Sequence, residues 1–266
     1  MKNAHRVIIW VVFLILVQLG AVSPTIHADE TLRYSCSAQV SEAFETERLE
    51  AFTRATGIRV DLFIAPSPTC VNRLMNGVCD IASTTRNLHF SHKESGYVET
   101  PFCRDALAVI VNVASVTENV TKKQLREIFR RDVTNWNQLG GHDQPVVLTV
   151  PGKNTGAYNN FHRQVMRMKT IEYDYTTYQS TQIIELVKQI PGTISFIARG
   201  AVVGREGIKM INVDGIPPTH KDYPLSQIFS FVTRGNPTGS VKVFVDFALS
   251  EVGKTIMKRR GMVPIQ

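Results

Sequence analysis

The stretch ALAVIV at 106–111 is apolar without a break, and that run limits the folds open to this chain. A strand solvated on one side alternates apolar with polar residues, whereas an unbroken run of strand length suits a strand covered on both faces. The flanking sequence supplies the covers. Residues 31–35, 59–64, 80–83, 146–150, 193–198 and 208–212 read as further strands, with helical segments between them. Val40, Phe44, Ala51, Phe52 and Ala55 share one helical face, and Gly57 stands where a glycine ends a helix. Residues 71–75 read as a short helix closed by Gly77. Thr121 and Gln124 have capping-box spacing, ahead of the apolar stripe Leu125, Ile128 and Phe129. Val241, Phe244, Val245, Ala248, Val252 and Ile256 line one terminal helix that ends at Gly261. Strands alternating with helices predict an α/β fold with parallel pairing and right-handed crossovers. Turn-forming connections at 112–117 and 214–224 are the expected crossings between two lobes.

The chain of 266 residues has room for one large domain or two small ones. Lys2 and Arg6, an apolar run over 7–22, a break at Ser23 and Pro24, and Ala28 before a cut form the pattern of an export signal over 1–28. An uncleaved anchor is the alternative, although the apolar run falls just short of a comfortable membrane span. Of the formal net charge of +7, Lys2 and Arg6 carry two. The remaining Lys and Arg residues are spread rather than clustered, which argues against a nucleic-acid partner and suits a small anion or an acidic partner. Cys36, Cys70, Cys79 and Cys103 form an even set, so an exported chain allows three pairings. If Cys36 and Cys70 follow neighbouring parallel strands they meet at one sheet end, leaving Cys79 for Cys103; free buried thiols are the alternative.

Four short polar loops each follow a strand and precede a helix: SCS at 35–37, SPT at 67–69, STTR at 83–86 and KNTG at 153–156. In open parallel sheets, ligands sit outside the carboxyl ends of the strands. There the free N–H groups of the next helix favour an anion. Small hydroxyl side chains donate hydrogen bonds without blocking the backbone, and Arg86 and Lys153 add positive charge. One such loop is explained by helix capping alone. Four together read as a site.

Nothing in the chain matches a nucleophile elbow, a zinc-protease helix, a Walker loop or a dinucleotide fingerprint, so no enzyme, metal or cofactor is expected. His89 and His92 read as a surface pair. Asp80 and Asp105 read as structural residues at strand starts. Trp136 is expected to pack against its own helix, and Tyr158 faces either the ligand or the core.

The chain resembles the phosphate-binding-protein-like branch of periplasmic solute-binding proteins of ABC transporters, over residues 31–266. The marks are NGVCDIASTTRNL at 76–88, DALAVIVN at 105–112, TKKQLREIF at 121–129, TNW at 134–136, Gly140 with Gly141, PGTI at 191–194, VDGIPPT at 213–219, YPL at 223–225, and FVDF at 244–247 before Gly253. The resemblance implies a two-lobed type II periplasmic binding-protein fold with mixed, mostly parallel sheets. Lobe I would hold 29–112 with 220–266, and lobe II 113–219. It implies a periplasmic monomer that captures phosphate or a similar tetrahedral oxyanion for an ABC permease; a ligand sensor for a membrane receptor and a scaffold acting through protein partners are the alternatives. By position, the anion's donors fall on Ser37 and Ala38, Ser67, Thr85 with Arg86, and Thr155, Gly156 and Ala157. Three positions depart from the family pattern. Pro68 lacks a backbone donor, Ala157 lacks a hydroxyl, and Lys153 stands in for a planar arginine fork.

Overall fold

A computed structural model describes residues 30–265, so the expected signal peptide at 1–28 lies outside the described residues. β1 (Thr31–Ser37) leads through α1 (Ala38–Val40), a π-helical turn (Ser41–Glu45) and α2 (Thr46–Thr56) to β2 (Arg59–Ala65). Next come α3 (Ser67–Met75), β3 (Ile81–Thr84), α4 (Phe90–Glu94) and the long β4 (Tyr97–Asn112). The middle of the chain forms β5 (Asn119–Val120), α5 (Lys122–Ile128), a 3-10 turn (Trp136–Leu139), β6 (Val147–Pro151) and α6 (Gly156–Gln164). It continues with β7 (Tyr175–Thr177), α7 (Ser180–Gln189), β8 (Thr193–Ala198), α8 (Arg199–Val202) and β9 (Ile208–Val213). The last elements are β10 (Ser226–Arg234), α9 (Gly239–Leu249), α10 (Glu251–Arg259) and β11 (Val263–Pro264).

The strands form one curled mixed sheet in the order β2-β1-β3-β10-β4-β8-β6-β7. β1 runs parallel to both β2 and β3, and β6 runs parallel to both β7 and β8. Antiparallel pairings of β4 and β10 stitch the two halves together. The unbroken apolar run is the reason β4 can do this. Leu107, Val109 and Val111 pack into one core with Leu148, Phe161 and Phe196, while Ala108 and Ile110 on the opposite face pack with Ile183, Val187 and Ile197. Tyr34, Phe44, Phe52, Phe102, Phe229 and Phe231 make a second large core.

The chain passes between halves inside β4. Ala106 lies opposite Ser226 on β10, and the next residue, Leu107, lies opposite Ala198 on β8. The return strand meets it at the same level, where Leu107 N–H donates to Leu225 O at 2.8 Å.

Several local expectations change in the structure. The terminal helix is two helices, α9 and α10, broken at Ser250, whose hydroxyl caps α10 by accepting from Gly253 N–H at 3.3 Å. Gly253 suits the break, because a Cβ there would stand 2.3 Å from Ala248 O. The break turns Val252 outward, to 54% exposure. Ala55 is exposed too. A π-helical turn closes on the residue five along and so rotates every later position relative to an α-helix. β10 has no clean period in the sequence because its pairing with β4 shifts between Phe229 and Ser230, where a bulge resets the alternation.

The disulfide expectation is corrected: all four cysteines are free and buried. Cys70 sits on α3 in a small core with Cys79, Leu74 and Leu88, while Cys36 and Cys103 belong to the large core around Phe102. The sheet-end meeting of Cys36 with Cys70 is therefore not formed.

Candidate functional site

Helix starts from both halves converge on one crevice, whose lining includes Ser37, Ala38, Ser67, Thr155, Gly156 and Ser180. Ser37 directly precedes α1, Ser67 opens α3, Thr155 is the N-cap of α6, and Ser180 opens α7. The first N–H groups of a helix lack intrahelical acceptors and carry the positive end of its dipole. Four such ends facing one space favour negative charge there.

Local chemistry fixes each end. Pro68 lies in the first turn of α3, where a missing N–H costs the helix nothing. Thr155 Oγ1 accepts from Tyr158 N–H at 3.2 Å and donates to Gly152 O at 2.8 Å, which locks the loop before α6. Ala157 lines the crevice as well.

Hydroxyls tie the first half of the site together. Ser37 Oγ and Ser67 Oγ share a hydrogen bond of 3.0 Å. Ser67 Oγ accepts from Thr85 N–H at 3.1 Å, and Thr85 Oγ1 donates to Gln39 Oε1 at 2.8 Å. The second half reaches across through Asn160, whose Nδ2 donates to Thr85 O at 2.9 Å. Gly156 closes the contact: a Cβ there would stand 1.6 Å from Thr85 Oγ1 and 2.5 Å from Gln39 Oε1. What remains open is about 10 Å³, room for about one water molecule.

The charges lie differently from the sequence expectation. Arg86 and Lys153 are both exposed and neither lines the crevice. Thr84 Oγ1 accepts from Arg86 N–H and donates to Arg86 O, each at 3.0 Å. This tight turn accompanies an alternation in which buried Thr85 joins the hydroxyl set and Arg86 meets solvent. Lys153 sits on the turn before α6. The crevice instead holds a carboxylate, Glu42, whose Oε1 accepts from Ser180 N–H at 2.9 Å across the two halves. Burial raises the Glu42 pKa, against the pull of its hydrogen bonds to Ser180 and the charge of Arg205.

Other candidates resolve into structural parts. Arg33 pairs with Asp80, and the hydrogen bonds from its guanidinium and backbone N–H, with its charge, hold the Asp80 carboxyl low, overcoming its partial burial. Asp105 is buried beside the Ala106–Leu107 crossing; burial raises its pKa to about 7 despite the Gly200 N–H bond and the nearby Arg199 charge. Trp136 is buried and its Nε1–H donates to Gly192 O at 2.8 Å. Tyr158 packs in the core beside Phe161 rather than in the crevice. Among the described residues, no group of three or more His, Cys, Asp or Glu side chains has metal-holding geometry.

Glu42, Gln39, Asn160, Ser180 and Gln227, whose Oε1 accepts from the Gln39 and Asn160 amides at 3.4 Å each, were not legible as site residues. Gln227 lies on the bulged β10, and the start of α7 has no side-chain cap of its own because Glu42 caps it from the other half.

Comparison with known proteins adds lineage to this geometry. Residues 21–252 match the family model of the PBP superfamily domain. Phosphate-binding protein PstS of Bacillus subtilis is 26% identical over 165 residues, covering 60% of this chain and 55% of that protein. The match thus spans about half the length of that relative. Protein SphX of Synechococcus elongatus is 26% identical over 259 residues, covering 87% of this chain and 74% of that protein. A solved structure from Clostridium perfringens, described as a phosphate ABC transporter substrate-binding protein with bound phosphate, superimposes with a TM-score of 0.80 at 25% identity. That match covers 89% of this chain and 100% of the other.

Proposed function

The chain belongs to the PBP superfamily, and we propose that it captures phosphate or a similar tetrahedral oxyanion outside the cytoplasm for an ABC permease. One observation carries this reading: the starts of α1, α3, α6 and α7 face a single crevice lined by Ser37, Ser67, Thr155 and Ser180. Backbone amides and hydroxyls there would surround the anion, with Ala38, Gly156 and Ala157 allowing close approach. The phosphate-binding PstS of Bacillus subtilis and the phosphate in the Clostridium perfringens structure support phosphate as the ligand. In this reading the chain works by capture and release, with no catalytic step and no cofactor, and as a monomer.

Room for about one water is too little for a phosphate, so uptake requires the halves to part. We place the flexing point where β4 changes partners between Ala106 and Leu107, beside Leu225 on the return strand. The expected boundaries, 29–112 with 220–266 for lobe I and 113–219 for lobe II, would then move to those crossings, so that lobe II takes in 107–225. Hinged closure of packed lobes around a ligand is an established mode of motion. Export under the leader at 1–28 is part of the proposal, and among the described residues no helix is long and apolar enough to cross a membrane.

The tight crevice and its Glu42 carboxylate favour a second reading, a scaffold that holds no small anion and acts through protein contacts. A calorimetric panel of phosphate, sulfate and molybdate separates the two. Saturable heat for one anion supports capture; none for any of them supports the scaffold.

A further inference from the structure

We infer that a second oxyanion site lies outside the crevice, in an open cavity bounded by α3, the 84–88 turn and α4. The cavity holds about 140 Å³ and is lined by Asn72, Thr84, Arg86, Asn87, His89 and His92, among others. That is room for several water molecules, enough for a compact anion. Among the described residues no carboxylate lines it, and each ionisable side chain in its wall is a base. Two imidazoles beside the Arg86 guanidinium suit an oxyanion with two or more free oxygens.

Thr84 Oγ1 is committed to the Arg86 backbone, whereas, among the described residues, the Arg86 guanidinium is not committed to a carboxylate. Arg33, Arg48, Arg131 and Arg259 each pair with a carboxylate, but Arg86 has no salt-bridge partner among the described residues. His89 Nδ1 accepts from Ser91 N–H at 3.3 Å and lies 2.8 Å from Ser91 Oγ; with Nδ1 as the acceptor of both, Nε2 carries the hydrogen and serves as a donor. The His92 ring lies 5.9 Å from the His89 ring, centroid to centroid, and its buried Nδ1 has no hydrogen-bond partner. The nearby carboxylate, Glu99, is occupied by Lys93 at 3.2 Å and by Leu88 N–H at 3.3 Å.

The two spaces are back to back. Ser67 lines both, and the turn at 84–86 divides them, with Thr85 in the hydroxyl set and Arg86 in the outer wall. The second site does not depend on the crevice holding anything.

The test is a nuclear magnetic resonance titration of the mature chain with inorganic phosphate, then sulfate, at fixed pH. It follows the imidazole resonances of His89 and His92. Both rings should shift saturably with the anion. Asn72→Asp, which places a carboxylate at an exposed position of the cavity wall, and Arg86→Ala should each weaken this response by about tenfold or more. Thr155→Ala, in the crevice, should leave the response unchanged. Rings that do not move, or that move equally in Asn72→Asp, overturn the second site. The Gly156 amide in the same spectra reports the crevice separately, so failure of one site is not mistaken for failure of the other.

Discussion

Gly156 on α6 lies against the Thr85 hydroxyl of the opposite half so closely that an added Cβ would stand 1.6 Å from Thr85 Oγ1. Rotating the Thr85 hydroxyl away does not relieve the clash, because Thr85 Cβ would itself stand 2.8 Å from the new methyl group. Gly156→Ala therefore props the halves apart. Small-angle scattering should give a larger radius of gyration than the parent, and phosphate affinity should fall by about tenfold or more. An unchanged radius would mean the contact yields in some other way.

Glu42 bears on ligand charge. Its raised pKa means that the carboxyl is neutralised more easily than a free one as pH falls. Anion binding in the crevice should therefore weaken as pH rises through the Glu42 titration. Glu42→Gln keeps an acceptor for Ser180 N–H but removes the charge. At matched pH the variant should bind phosphate more tightly than the parent, with the gap widening toward alkaline pH. A variant that binds more weakly at every pH would assign Glu42 a direct role in holding the anion.

Asp105 sets a pH dependence of stability. Its folded pKa of about 7 stands above the ordinary value of 3.8. Its contribution is fully present below pH 3.8 and is lost as pH rises through 7, when the buried carboxylate must ionise with Oδ1 unpartnered. The full loss amounts to at most about 4 kcal/mol. Asp105→Asn should flatten the fall of Tm between pH 5 and pH 8, measured by calorimetry. Parallel profiles for parent and variant would contradict this.

The thiols should be silent in the folded state. Burial pushes the Cys70 thiol up to about 12, and Cys36, Cys79 and Cys103 also stand above the ordinary value. The thiolate is the reactive form. Iodoacetamide at pH 8 should leave the native chain unmodified and add to all four cysteines after unfolding without reductant, as read by mass spectrometry. Fewer additions would reveal a disulfide.

Much of the scaffold could be read in advance where one local rule dominated. β8 spans residues 193–198 as expected from its composition, Thr121 and Gln124 form the capping box, and Gly57 ends α2 with φ of 76°. Readings failed where a local irregularity reset a period: the bulge in β10, the π-helical turn before α2, and the break at Ser250. The site divides along the same line. Hydroxyl corners follow from strand-to-helix order, so the placement of Ser37, Ser67 and Thr155 along one crevice could be anticipated. The outward course of Arg86 depends on a turn that Thr84 bonds into place, and the role of Glu42 depends on a helix from the far half.

The most direct test is calorimetric titration of phosphate into Asn72→Asp and into the double variant Asn72→Asp with Thr155→Ala. With the outer cavity blocked, heat reports the space between the helix starts alone. The account predicts saturable one-to-one binding in the first chain, weakened by about tenfold or more in the second. No heat in Asn72→Asp, or equal affinity in both chains, would contradict it.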